Sequence, residues 1–228
     1  NITGNAFIGR WALANVALFR GKLDQFSVFD YALTQAQVTQ LYGSSSTGVG
    51  NPMAITNGRK PVAYYPIGDY SAYNGTEYLV PNSAVSDYVF DFNGATGVIP
   101  LPQGSLQLVT SISISAWVKT TTTGTRQTII SNDNGGRCWF FLVNGQNIDF
   151  NLRPENDPVA AGTTNSQVTT SGVNVADDNW HSVVALWDGT TNTNSQKVFV
   201  DGILRAQGTP SFTQPIRQFE TNKPTIGD

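Results

Sequence analysis

The sequence predicts an all-β fold: two antiparallel sheets packed face to face, with one short helix. Three observations predict it. The run Trp180 to Trp187 puts His181, Val183, Ala185 and Trp187 on one face and Ser182, Val184 and Leu186 on the other. Both faces are largely apolar, so the strand belongs inside a stack of two sheets. The run Lys197 to Asp201 is β-branched and aromatic, and Asp201-Gly202 after it favours a tight hairpin turn, because both positions tolerate positive φ. Ile203-Leu204-Arg205 then forms the returning strand. No helical pattern separates these units, which indicates an antiparallel sandwich.

Composition bounds the function. The chain has 228 residues, enough for one large sandwich or two small domains, and enough to bury a core without staples. Lys plus Arg is 13 and Asp plus Glu is 16, a net charge of −3. That balance does not suit a polyanion, so nucleic acid and anionic membrane are excluded as partners. Charged residues are only 13%, while Thr, Ser, Asn and Gly abound. Neutral polar surfaces of this kind are common on secreted and virion-surface β proteins. Cys138 is the single cysteine and has no internal disulfide partner; its setting, Cys-Trp-Phe-Phe-Leu-Val, reads as a small buried apolar residue. No apolar run approaches the roughly 18 residues of a membrane span, and no secretory signal is present. The missing initiator Met points to a processed product or a segment of something longer.

In chain order, residues 1–18 are short apolar pieces. Alternation over Leu23–Phe29 predicts a strand with Leu23, Gln25, Ser27 and Phe29 on one side and Asp24, Phe26 and Val28 on the other. Both sides carry large apolar side chains, so this strand must be paired and covered, and residues 19–30 are expected to pair inside the sandwich. Thr34 caps a helix over Gln35–Leu41, which Gly43 ends. Residues 1–43 therefore read as closing strands and helix, 44–60 as a linker by composition, and 61–228 as the main body. Further strands are expected from Val62 and over Tyr88–Phe92, with Asn93-Gly94 as a turn. Ile112 to Lys119 alternates strictly, with Ile112, Ile114, Ala116 and Val118 inward. Gln127–Ser131 follows, then a hairpin of Cys138–Val143 and Asn147–Leu152 across Asn144-Gly145. Residues 153–179 read as a long loop with short extended pieces.

These motifs carry a resemblance. Ile112-Ser-Ile-Ser-Ala-Trp-Val-Lys119, Asn179-Trp-His-Ser-Val-Val184, Val198-Phe-Val-Asp-Gly202, Thr225-Ile-Gly227 and the Phe19 to Thr34 stretch resemble the laminin-G-like, concanavalin A-like lectin/glucanase superfamily, with a pattern close to pentraxins. The resemblance covers most of residues 62–228 and 7–42 and implies a two-sheet jelly roll. One departure stands out. In the family, the Phe-x-Gly-x-Leu-Asp strand and its helix come last; here they come first, and Phe7-Ile8-Gly9 resembles Thr225-Ile226-Gly227. The chain reads either as a register-shifted unit of a tandem array or as a circular permutant. The resemblance also implies burial of Trp117, Trp180, Val184, Leu186, Val198 and Val200.

Relatives in that superfamily cleave glucans with a Glu-x-Asp-x-x-Glu strand, and glycoside hydrolysis needs two flanking carboxylates. None of the three glutamates, Glu77, Glu155 and Glu220, opens such a Glu-x-Asp-x-x-Glu strand, so no enzyme is expected. His181, inside a strand, reads as a packed, hydrogen-bonded histidine. For a metal, the resemblance implies calcium at Asp24, Asp91, Asn93, Asp133 and Asn134, all oxygen donors. The acidic loop that completes the pentraxin site is replaced by Gly9-Arg10-Trp11-Ala12, and the alternative for Asn132-Asp133-Asn134 is an ordinary turn. Sugar binding needs an aromatic platform beside neutral polar groups, and the candidates are Trp11, Tyr70, Tyr73, Trp139 and Trp187, each with core packing as its alternative. Asn1-Ile-Thr and Asn74-Gly-Thr are glycosylation sequons in a eukaryotic source. The expected function is lectin-like recognition of a glycan or cell-surface protein, on an extracellular or virion-surface fibre or adhesin. The alternatives are a structural repeat that forms a homo-oligomer or array by strand exchange, and a degenerate glucanase.

Overall fold

The computed structural model describes residues 7–8, 19–43, 50–65, 72–73, 78–79, 90–94, 99–100, 110–132, 139–154 and 165–212. In chain order the strands are β1 (Phe7–Ile8), β2 (Arg20–Phe29), β3 (Ala63–Tyr65), β4 (Ala72–Tyr73), β5 (Tyr78–Leu79), β6 (Phe90–Asn93), β7 (Ile99–Pro100) and β8 (Ile112–Lys119). They continue as β9 (Arg126–Asn132), β10 (Trp139–Asn144), β11 (Asn147–Leu152), β12 (Ser166–Thr169), β13 (His181–Trp187), β14 (Gln196–Val200) and β15 (Ile203–Gly208). The α-helix, α1, spans Gln35–Tyr42. One sheet runs β12-β11-β10-β9-β1-β7; the other runs β15-β14-β13-β8-β2-β3, with β6 also on β2. The small pair β4-β5 stands apart from both. The pairings are antiparallel, and the fold is the expected two-sheet jelly-roll sandwich.

The core lies between the sheets. Strand β8 contributes Ile112, Ile114, Ala116 and Val118, every second residue, as its strict alternation predicts. Val183, Ala185 and Trp187 of β13 and Val198 and Val200 of β14 pack beside them. Phe141, Val143, Ile148, Phe150 and Leu152 face them from the other sheet. The β14–β15 turn forms as expected, with Asp201 at φ 53° and Gly202 at φ 73°.

Strand β2 pairs with β8, β3 and β6 of its own chain, so residues 19–30 are seated within this sandwich. Its faces differ from simple alternation. Asp24 pairs with Trp117 and Ser27 with Ser115, so two residues of β2 oppose one of β8. This is a β-bulge, with Gln25 at φ 49°. The extra residue moves Leu23 to the same face as Phe26 and Val28, inside the core. Ser27 and Phe29 go to the outer face.

There α1 covers the sheet. Val38 and Leu41 of the helix and Leu33 before it pack on Phe29, Val184, Leu186 and Phe199. Thr34 forms a capping box with Gln37, as expected of the cap position. The serines of β8 receive the approach to the helix: Ser113 Oγ donates to the Tyr31 carbonyl at 2.7 Å and accepts from Leu33 N–H at 3.0 Å. Residues 50–60 are mostly exposed but are tied to α1 and to the end of β2 by side-chain contacts. Gln40 Nε2 donates to Thr56 Oγ1 at 2.7 Å, and Arg59 pairs with Asp30 at 3.1 Å. Among the described residues, no helix is long and apolar enough to cross a membrane. Cys138 lies outside them.

Candidate functional site

Past the C-terminal end of α1 the outer face of the sheet becomes polar. The register of β2 places Arg20, Lys22 and Asp24 on this face. Lys119 stands opposite Lys22, and Trp117 opposite Asp24. Asn93 stands opposite Arg20 on the other side, and Asp91 opposite Lys22. A cleft of about 320 Å³ opens here, lined by Arg20, Lys22, Asn93, Lys119, Thr120 to Thr122 and Asp178. Gly21 lies in its wall at φ 142°, and its backbone lies so close to β8 that a Cβ would sit 2.2 Å from the Lys119 carbonyl oxygen.

A buried polar knot holds the cleft's rim. Gln127 is fully buried. Its Oε1 accepts from Arg20 N–H at 2.9 Å and from Thr120 Oγ1 at 3.1 Å, and its Nε2 donates to the Thr122 carbonyl at 2.8 Å. The single Thr120 hydroxyl proton is shared between Gln127 Oε1 and the Arg20 carbonyl. One amide therefore ties the start of β2 to the end of β8, and a satisfied buried network of this kind is rigid.

Aromatic rings continue the face. Tyr42, at the end of α1, stacks on Trp117 with centroids 5.9 Å apart and planes 12° from parallel. Trp180 is 36% exposed. It lies two residues before Ser182, the partner of Trp117 across β8 and β13.

The loop carrying Trp180 is clasped by His181. One ring nitrogen, Nδ1, lies 2.9 Å from Asp201 Oδ2, and the other, Nε2, 3.0 Å from Asp177 Oδ1. Asp201 also accepts from Ser182 N–H at 3.0 Å. The hydrogen bond to Asp201 raises the His181 pKa above 6.5; burial opposes it, and Asp177 adds to it. His181 in turn is the main cause that lowers the Asp177 carboxyl from 3.8 to about 2. A raised histidine stabilises the fold fully below 6.5 and stops doing so as pH rises through its folded-state value. A lowered aspartate stabilises fully above 3.8 and stops as pH falls through about 2. The clasp is therefore strongest between those limits. Wild type should lose its stability advantage over His181→Gln between about pH 5 and about pH 9 in urea denaturation. An advantage that is equal at both pH values would show that the ring is not charged in the fold.

Two of the expected platform residues are corrected. Trp139 and Trp187 are both 0% exposed and belong to the core. Trp187 Nε1 donates to the Thr190 carbonyl at 2.9 Å, and its ring meets Phe212 at 5.6 Å. A ring with no free face cannot stack on a sugar. The reverse correction holds for the residues expected inside. Val184, Leu186, Val198 and Val200 are buried, but Trp117 is half-buried, covered in part by Tyr42 at the end of α1, and Trp180, which precedes β13, is exposed. Tyr73 lies in β4; Trp11 and Tyr70, like Asn1 and Asn74, lie outside the described residues.

Of the expected calcium donors, Asp24 lies in β2, and Asp91 and Asn93 lie in β6, which pairs with it. Asp24 Oδ1 accepts from its neighbour Gln25 N–H at 2.7 Å. In the backbone register Asp91 stands opposite Lys22 and Asn93 opposite Arg20. Among the described residues, no three of His, Cys, Asp or Glu form a metal group. Asp133 and Asn134 lie outside those residues. Sequence reasoning missed Arg20, Lys22, Lys119 and Trp180. The signal was there: alternating cations at the head of β2, and Lys119 followed by four threonines.

The sandwich has one helix-covered outer face and, past the helix, a polar cleft. A family model described as the concanavalin A-like lectin/glucanases superfamily, laminin G type, matches residues 93–228. The chain belongs to that superfamily. No curated protein and no solved structure matches it.

Proposed function

We propose that the chain is a non-enzymatic, lectin-like recognition module that binds glycan, displayed on an extracellular or virion-surface fibre or adhesin. The observation that carries this reading is the stacked pair Tyr42 and Trp117 on the outer face of the sheet, with the exposed Trp180 two residues before Ser182, the partner of Trp117 across the sheet. Aromatic faces next to neutral hydroxyls and amides are what sugars bind. The superfamily holds lectins as well as glucanases. Non-catalytic binding is favoured by His181, whose two ring nitrogens are both engaged by carboxylates. Such a ring has no site left to take a substrate proton. The low charge and abundant neutral polar residues suit a surface protein.

The test is a broad glycan array with wild type and Trp180→Ala. Wild type should retain a defined set of saccharides, and the variant should bind them roughly tenfold more weakly, the scale of one aromatic contact. Loss of all binding by the wild type would reject the reading. Release of reducing sugar from a laminarin-type glucan would replace it with a hydrolase.

A further inference from the structure

We propose that His181 is the positioning residue of the glycan site, a pH-operated latch whose charged ring holds residues 177–180, and Trp180 with them, and whose neutral ring lets them go; this rests on the lectin reading above. The first argument is how the segment is held. Val175 is buried in the core, and its N–H donates to the Gln146 carbonyl at 3.0 Å, so the loop is anchored there. Strand β13 begins at His181. Residues 177–180, between the two, are all exposed. Asp178 N–H donates to the Thr120 carbonyl at 3.2 Å, and its carboxylate meets Lys119 at 3.4 Å in an exposed pair. Pairs of that kind add little. Asp178 also stands at φ 66°, a left-handed conformation that persists where its surroundings hold it.

The second argument is that the two carboxylates on the ring are not equivalent. Asp201 is the fixed jaw. Its Oδ1 accepts from Ser182 N–H at 3.0 Å, and its own N–H donates to the Ser182 carbonyl at 2.8 Å. Asp177 is the movable jaw. Its Oδ1 accepts from His181 Nε2 at 3.0 Å and from Asn179 N–H at 2.9 Å, inside the exposed segment itself. A charged imidazole donates from both nitrogens, a neutral one from a single nitrogen. On deprotonation the Nε2 proton goes to water, and the other stays on Nδ1 with Asp201, which cannot move away. The bare Nε2 then faces the Asp177 carboxylate, acceptor against acceptor, and the segment loses its tie to β13.

The groups around the ring set the sign. On β8, Val118 stands opposite His181. The next residue, Lys119, has Lys22 across from it on β2 and carries its own charge against Asp178. From α1, Tyr42 lies against Gly202, next to Asp201. Asp201 first, and Asp177 after it, keep the ring charged above the ordinary histidine range. The latch is therefore closed below pH 6.5 and opens as pH rises through the raised value.

The experiment is an NMR titration of the intact chain. His181 is its single histidine, so the imidazole signals belong to one residue. The mobility of Trp180 is read in the same samples from fluorine relaxation of fluorotryptophan-labelled protein, with the resonance assigned by Trp180→Phe. Trp180 should become mobile with the His181 midpoint, while Trp139 and Trp187 in the core stay rigid. The Kd of a glycan retained on the array should rise severalfold over the same range, up to the roughly tenfold expected of Trp180→Ala. Asp177→Asn is the second variant, because an amide accepts from a charged ring and donates to a neutral one. It should keep Trp180 rigid and the Kd constant as pH rises, although His181 still titrates. A wild-type Trp180 whose mobility ignores the His181 titration would overturn the latch. So would an Asp177→Asn protein as pH-sensitive as wild type. A constant Kd while Trp180 loosens would overturn the role in binding and leave the lectin reading intact. No glycan bound at any pH would reject both.

Discussion

Trp187→Ala should destabilise the protein by about 3–5 kcal/mol, the usual cost of emptying a buried tryptophan site. The ring is fully buried in the main core, with Phe212 against it and its N–H on the Thr190 carbonyl. Truncation leaves a cavity, and the two sheets around it collapse only in part. Trp180→Ala removes the same side chain from a surface position and should cost about 1 kcal/mol or less. Urea denaturation of the two variants side by side reads the difference. Equal costs would mean that the assignment of one tryptophan to the core and the other to the rim is wrong. The pair also separates stability from function, because only the surface variant is expected to fold normally and bind glycan poorly.

Gly21→Ala should be at least as damaging, on the order of 3 kcal/mol or more, because it combines a forbidden backbone angle with a clash that cannot relax. A φ of 142° is open to glycine and closed to alanine. The added Cβ would meet the Lys119 carbonyl oxygen at 2.2 Å and Thr120 Cβ at 2.9 Å. The first of these is backbone, so β2 and β8 would have to part where they form the cleft. Urea denaturation should therefore show a clear loss of stability. Gly124→Ala is the control: nothing lies within 4 Å of its Cβ position, and the change should stay within about 0.5 kcal/mol. A Gly21→Ala protein as stable as wild type would refute the close approach of the two strands.

Much of this fold was legible in the sequence where two signals agreed. Strand β8 combines strict alternation with β-branched residues, and its inward set matches the core residue for residue. The β10–β11 hairpin had a turn dipeptide between two apolar runs. Strand β2 was legible as a strand but not in its faces, because Gln25 makes the bulge without a glycine to mark it. One residue out of step was enough to misplace Leu23. The tryptophans were misjudged for a related reason. Trp139 opens a continuously apolar run, which gives no face, and Trp180 precedes its strand, where burial depends on how far α1 reaches. The cleft was the least legible part. Arg20 and Lys119 are separated by nearly the whole span between β2 and β8, and only the register of those strands makes them neighbours.

That same seating of β2 sets an order of events for folding. Its outer-face neighbours come late in the chain: Ser113 Oγ bonds the Tyr31 carbonyl across 82 residues. During synthesis β2 leaves the ribosome well before β8 and β13 exist to receive it. Phe26, Val28 and Phe29 then have nowhere to be buried, and the strand's edges stay open to other chains. The helix-bearing sheet can close only after β8 has arrived and the long intervening loop has been drawn in, at an entropic cost that slows folding. Strand β2 is made before the strand that receives it and is seated only once β8 has arrived.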